Sequence, residues 1–263
     1  MFPLKDNIPT ERTAYVTIAL IAINVLAYFL WQKGGLSFSD PSSQEYVEHL
    51  VDYGAFSYEL THPGDHCSIT AAQEIACEGQ PGVSGTAEPQ PSTWLTPFSS
   101  MFMHGGLLHL GGNMLFLWIF GNNVEDSMGP VKFIVFYLLG GIAAMALQVA
   151  IDPNAAVPTI GASGAVAAVL GGYILLYPRA RVVTVIFIIF FFTVLELPAL
   201  LILGFWFLQQ IAFGALDLSN PTGEGGGVAY FAHIGGFAFG LLAIKLFASR
   251  HKDYSPPPKY PVY

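Results

Sequence analysis

Apolar residues in this chain collect into runs long enough to cross a lipid bilayer, and no other feature constrains the fold as much. A spanning helix needs roughly 20 mostly apolar residues. Six stretches approach or reach that length: 15–31, 106–120, 130–151, 161–177, 197–213 and 228–248. Of the 263 residues 53% are hydrophobic and 11% charged, where soluble domains carry about 25% charged residues. One water-soluble core could not hide that much apolar surface, and the same figures exclude intrinsic disorder. A net charge of −8 without a basic run argues against a nucleic-acid partner. The sequence therefore reads as an all-α membrane protein with six transmembrane helices. The first run is a retained helix rather than a signal peptide, because no small-residue cleavage motif follows Trp31. The stretch 182–196 is β-branched and aromatic and ends at Glu196 and Pro198. It reads as an extra interfacial or re-entrant piece, with a seventh span as the alternative.

Lys and Arg are retained on the cytoplasmic side during insertion. With the amino terminus inside, nine of the ten basic residues fall inside and only Lys33 outside, while acidic residues gather in the outer loops. The resulting layout is a cytoplasmic segment at 1–14, a first helix at 15–31, a long extracytoplasmic loop at 32–100, a five-helix core at 101–249 and a disordered cytoplasmic tail at 250–263. The expected setting is a bacterial plasma membrane. The outer loop holds both cysteines, Cys67 and Cys77. An oxidising compartment would join them and a reducing one would leave two thiols; the disulfide is the expected reading.

Polar side chains inside spans are costly and mark pathways or reactive sites. Here they are His104, His109, Asn113, Glu125, Ser163, Glu196, Gln209, Gln210 and His233. In this topology the second, fourth and sixth spans run the same way, and His109, Asn113, Ser163 and His233 all come early in theirs. At 1.5 Å per residue they lie at similar depth near the outer face. A serine hydroxyl becomes a nucleophile when a neighbouring imidazole takes its proton, so Ser163 is the nucleophile candidate and His233 the base. His109 and Asn113, spaced i, i+4, share a helix face and are candidate oxyanion donors, as are the free N–H groups where Ser163 opens its helix. Small residues at Ser163, Ala167 and Gly171, and at Gly236 and Gly240, allow close helix approach. No carboxylate lies at this depth, so the reading is a dyad rather than a triad. Taken singly, Ser163 is more often a packing residue, and an intramembrane histidine can be a hydrogen-bonding group or proton relay. His104 and Glu125 read as structural. Zinc held by His104, His109 and His233 is a minor alternative, because the H-E-x-x-H pattern is absent. No metal or other cofactor is expected.

These residues fall in H-G-G-L-L-H-L-G-G-N at 104–113, G-N-N-V-E-D-S-M-G at 121–129, G-A-S-G at 161–164 and A-H-I-G-G-F-A-F-G at 232–240. Together the runs resemble the rhomboid family of intramembrane serine proteases over the second to sixth spans, about half the chain. The resemblance implies a six-helix rhomboid bundle, Ser163 and His233 as catalytic dyad, and His109 and Asn113 as oxyanion ligands. His104, Glu125, Gly161, Gly236 and Gly240 then have structural roles. It further implies cleavage of single-pass membrane proteins within the lipid bilayer near the extracytoplasmic face, with entry between the second and fifth helices. The glycine-rich segment 217–227 could act as a lid. Two departures stand out. Ala167 occupies the place where many members stack an aromatic ring on the histidine, so another group must orient His233. Trp94 is followed by Leu95 where the family's outer loop often has arginine. The competing readings are a rhomboid-like adaptor that does not cut and a small transporter.

Overall fold

The computed structural model describes residues 2–39, 41–70, 74–84, 86–87, 89–188, 191–219 and 228–249. The tail at 250–263 and most of the glycine-rich segment before the last helix, 220–227, lie outside the described residues. The chain begins with strand β1 (Phe2–Asp6) and helix α1 (Tyr15–Leu26), which continues as a π-helical turn to Trp31. The loop that follows forms α2 (Gln44–Tyr53), β2 (Ala55–Phe56), α3 (Ser57–Thr61), the small hairpin β3 (Cys67–Ile69) and β4 (Ile75–Cys77), and α4 (Thr96–Ser99). Next come α5 (Leu107–Phe116), which runs through a π-helical turn into α6 (Asn122–Met128), then α7 (Pro130–Ile151), β5 (Pro158–Thr159) and α8 (Ser163–Leu176). Strands β6 (Arg181–Ile188) and β7 (Phe191–Pro198) lead to α9 (Ala199–Ser219) and α10 (Tyr230–Phe247).

The molecule is mostly helical but not all-α, which corrects the expectation from the sequence. The segment 182–196 is a two-stranded antiparallel hairpin, with Arg181 opposite Pro198 and Ile188 opposite Phe191, and β1 adds to it as a third strand. Its run of Val, Ile, Phe and Thr has no helical period, and β-branched and aromatic side chains fit a pleated ribbon better than a helix. Three helices, α7, α9 and α10, are long and apolar enough to cross a membrane; Tyr15–Trp31 and α8 are apolar but shorter. The expected six spans are thus met by three on length and composition.

Local sequence explains the main breaks. Gly129, at φ 83°, ends α6 in a backbone region that side chains disfavour, and Pro130 opens α7 with a ring already set for a first helical turn. The amino end of α1 has no cap of its own, so its free N–H groups turn to α6. There Glu125 accepts from Val16 N at 3.0 Å, Thr17 N at 2.7 Å and Thr17 Oγ1 at 2.8 Å. Asp6 at the end of β1 accepts from Tyr173 of α8 at 2.6 Å and from Asn123 of α6 at 2.7 Å, which ties the sheet to the helical core.

The core centres on α7, α8 and α10. Glycine lets two backbones approach where any larger residue would hold them apart. A Cβ on Gly236 of α10 would collide with the Gly164 carbonyl of α8, and one on Gly240 with the Ala168 carbonyl one turn further on. The outer loop builds a smaller core of its own from Phe56, Tyr58, Cys67 and Cys77. Cys67 and Cys77 face each other across β3 and β4 and are joined in a disulfide. Beside them Glu59 accepts from Cys67 N at 2.7 Å, and burial pushes its carboxyl above the usual range.

Candidate active site

Ser163 is the first residue of α8, and His233 lies in the first turn of α10. The two helices cross at Gly164 and Gly236, one residue beyond the serine and three beyond the histidine. That contact brings residues 70 positions apart to 2.8 Å, Ser163 Oγ to His233 Nε2. Both side chains are partly exposed. The first turn of α10 has no side-chain cap of its own, and Gln148 of α7 accepts from Ala232 N at 3.1 Å, fixing the backbone just before the histidine.

The other ring nitrogen, His233 Nδ1, lies 2.8 Å from Gln210 Oε1 on α9. A carbonyl oxygen only accepts, so Nδ1 carries the hydrogen and Nε2 presents its lone pair to the serine hydroxyl. Gln210 is almost fully buried at 7% exposure, and its amide donates to Trp206 O at 3.4 Å. The Trp206 ring, one turn earlier, sits 5.6 Å from the imidazole at 38°. Two groups of α9 therefore supply what Ala167, buried in α8, leaves open. The sequence marks Gln210 as an unusual polar residue in a span but gives no signal that it meets His233, because its helix runs the opposite way.

Gly161, at φ 119°, precedes the serine by two residues. A Cβ placed on it would lie 2.7 Å from His109 Nε2 and 3.5 Å from Ser163 Oγ, so His109 and Ser163 border one gap that the glycine keeps open. His109 Nδ1 accepts from Gly105 N at 3.2 Å. This leaves Nε2 as the ring's N–H, on the side of that gap. Asn113 is buried on the same helix, and its amide donates to His109 O at 3.0 Å. Among the described residues no hydrogen bond joins His109 or Asn113 to Ser163.

His104 is fully buried, packed edge-on against His109 at 5.1 Å, and neither ring nitrogen has a hydrogen-bond partner among the described residues. Its backbone is gripped by the amide of Gln32, which accepts from His104 N and donates to His104 O, each at 2.9 Å. Gln32, at the end of the first helix, has no sequence signal for this clamp. Among the described residues no cluster of three His, Cys, Asp or Glu could hold a metal ion.

A serine hydroxyl bonded to an oriented imidazole thus stands at the start of two glycine-packed, apolar helices. The family description "Rhomboid domain" matches residues 91–250, more than half of the chain, and the protein belongs to the rhomboid family. It is 32% identical over 149 residues to Rhomboid protein 1, mitochondrial, of Saccharomyces cerevisiae, covering 54% of this chain and 39% of that one. It is 26% identical over 165 residues to the mouse Presenilin-associated rhomboid-like protein, mitochondrial, covering 60% and 40%. With Rhomboid protease GluP of Bacillus subtilis the identity is 27% over 155 residues, covering 59% and 23%. The chain thus matches two fifths or less of the length of these relatives. The yeast and mouse names also correct the expectation of a bacterial plasma membrane, since both relatives are mitochondrial.

Proposed function

We propose that this rhomboid is an intramembrane serine endopeptidase that cleaves single-pass membrane proteins through a Ser163–His233 dyad and needs no cofactor. The 2.8 Å contact between Ser163 Oγ and His233 Nε2 is the observation that carries the reading. His233 Nε2 takes the hydroxyl proton as Ser163 Oγ attacks the scissile carbonyl carbon. The carbonyl oxygen becomes an oxyanion in the gap beside Gly161. The Ser163 backbone N–H, His109 Nε2 and, after turning from its own helix, the Asn113 amide would stabilise it. Collapse breaks the C–N bond, and the protonated imidazole gives its proton to the leaving amine. Water deprotonated by His233 then hydrolyses the ester on Ser163.

In this reading Tyr15–Trp31, the helix running through α5 and α6, and α8 also span, completing six. With 14 residues α8 is only about 21 Å long, shorter than the roughly 30 Å hydrocarbon core. Other helices surround it, so its length need not match the lipid. A short central helix supports a recess that water can reach from the end of the bundle opposite Tyr15 and Phe247. Substrate helices that cut well should carry helix-weakening residues near the scissile bond, because a carbonyl held in a helical hydrogen bond is hidden from attack. The mitochondrial names of the yeast and mouse relatives support a mitochondrial membrane as the setting.

The test is cleavage of a single-pass reporter co-reconstituted in liposomes, with product masses read by mass spectrometry. Wild-type protein is expected to yield two fragments and a folded Ser163→Ala variant none. Binding of the reporter without fragments from the wild type would instead make the protein an adaptor.

A further inference from the structure

We infer that Gln210 is a positioning residue that selects the working tautomer of His233, a role that rests on the dyad reading above. A glutamine in an apolar helix is costly to bury, and its neighbours on α9 are mostly exposed apolar residues. Gln210 is nonetheless buried, with its carbonyl oxygen 2.8 Å from His233 Nδ1. Neutral imidazole carries one hydrogen, on either nitrogen. If it sits on Nε2, the ring has no lone pair for Ser163 and the dyad is inert. The Gln210 carbonyl holds it on Nδ1. Trp206 limits tilting of the same ring, so orientation and tautomer both come from α9. A neutral amide does this without placing a buried anion in the membrane, which fits a site where, among the described residues, no carboxylate bonds to the imidazole.

The probe is a fluorophosphonate, whose phosphorus bonds to Ser163 Oγ as fluoride leaves and the imidazole takes the proton. Its labelling rate is measured against pH for the wild type and for Ser163→Ala, Gln210→Met and Gln210→Glu, each checked by thermal unfolding. Gln210→Met keeps side-chain length but removes the acceptor, and its labelling should fall about 10- to 100-fold, the size of loss found when the group orienting a metal-bound histidine is removed. Gln210→Glu restores an acceptor, so its rate should return to within a few-fold of wild type. Its pH profile should shift upward, because a carboxylate favours the charged ring. A packing role would not produce that rescue or that shift. Wild-type labelling by Gln210→Met, or labelling by Gln210→Glu as slow as by the Met variant, overturns the role and leaves the dyad standing. Should the Met variant not fold, a Glu profile superimposable on wild type overturns it. No Ser163-dependent labelling of the wild type would remove the dyad reading and this role with it.

Discussion

Helices α8 and α9 both deliver groups to the same imidazole, yet they are held in opposite ways. Of the 14 residues of α8, twelve are buried; of the 21 residues of α9, five are. The nucleophile candidate therefore starts a helix enclosed by protein, whereas Gln210 and Trp206 ride on one whose side chains are mostly exposed. A close-packed helix holds a reacting atom in place, and a peripheral one can shift at lower cost. Any displacement of α9 would take the Nδ1 acceptor away while leaving Ser163 in position. The site thus has a fixed half and an adjustable one.

The largest expected effect lies in the fixed half. Gly236→Val would drive a branched side chain into the Gly164 carbonyl. Overpacking typically costs about 1 to 3 kcal/mol, and more where the obstacle is backbone as here, so thermal unfolding in detergent should show a fall in stability and labelling together. If Gly236→Val unfolds like the wild type, α8 is not clamped as described. If the Asn113 amide turns to the oxyanion as proposed, Asn113→Ala should slow reporter cleavage by about 10² to 10³, the loss of one oxyanion donor, with unfolding little changed. An unchanged rate would leave Asn113 with only its helix-internal bond.

The far end of α8 is tied down differently, through Tyr173 to Asp6. Burial pushes the Asp6 carboxyl up from 3.8 to about 6, against the opposing effect of its bond from Tyr173. Because its folded value is the higher one, Asp6 stabilises the fold most below about pH 4 and loses that contribution as pH rises through about 6. At about 1.4 kcal/mol per pH unit of displacement, the loss is of order 2 to 3 kcal/mol. Asp6→Asn should flatten this dependence, measured as the difference in unfolding between acidic and neutral pH. Equal slopes in the two proteins would contradict it. The smallest effect belongs to the exposed side of α9: Leu208, 63% exposed, should tolerate alanine within about 0.5 kcal/mol and keep its labelling rate.

How far the sequence revealed the molecule follows the same division. Small-residue spacing and the early positions of Ser163 and His233 made the α8 and α10 seam legible, because close helix approach requires glycine at set intervals. The position of Gln210 was not legible: helix direction and rotation decide which polar residue meets the imidazole, and neither leaves a spacing signature. The missing ring at Ala167 showed that an orienting group was needed without showing where it would come from. The hairpin of β6 and β7 was hidden for another reason. A continuous apolar run without period fits a buried strand, a buried helix or a membrane segment equally, and β1, which completes the sheet, is only five residues long.

The proposed dyad is tested most directly by the rate at which a fluorophosphonate adduct forms on the peptide containing Ser163, compared between the wild type and a folded His233→Ala variant. With His233 as the base, the adduct forms readily in the wild type and is nearly absent from the variant. Equal rates in the two proteins, or an adduct on a different serine, would contradict the assignment.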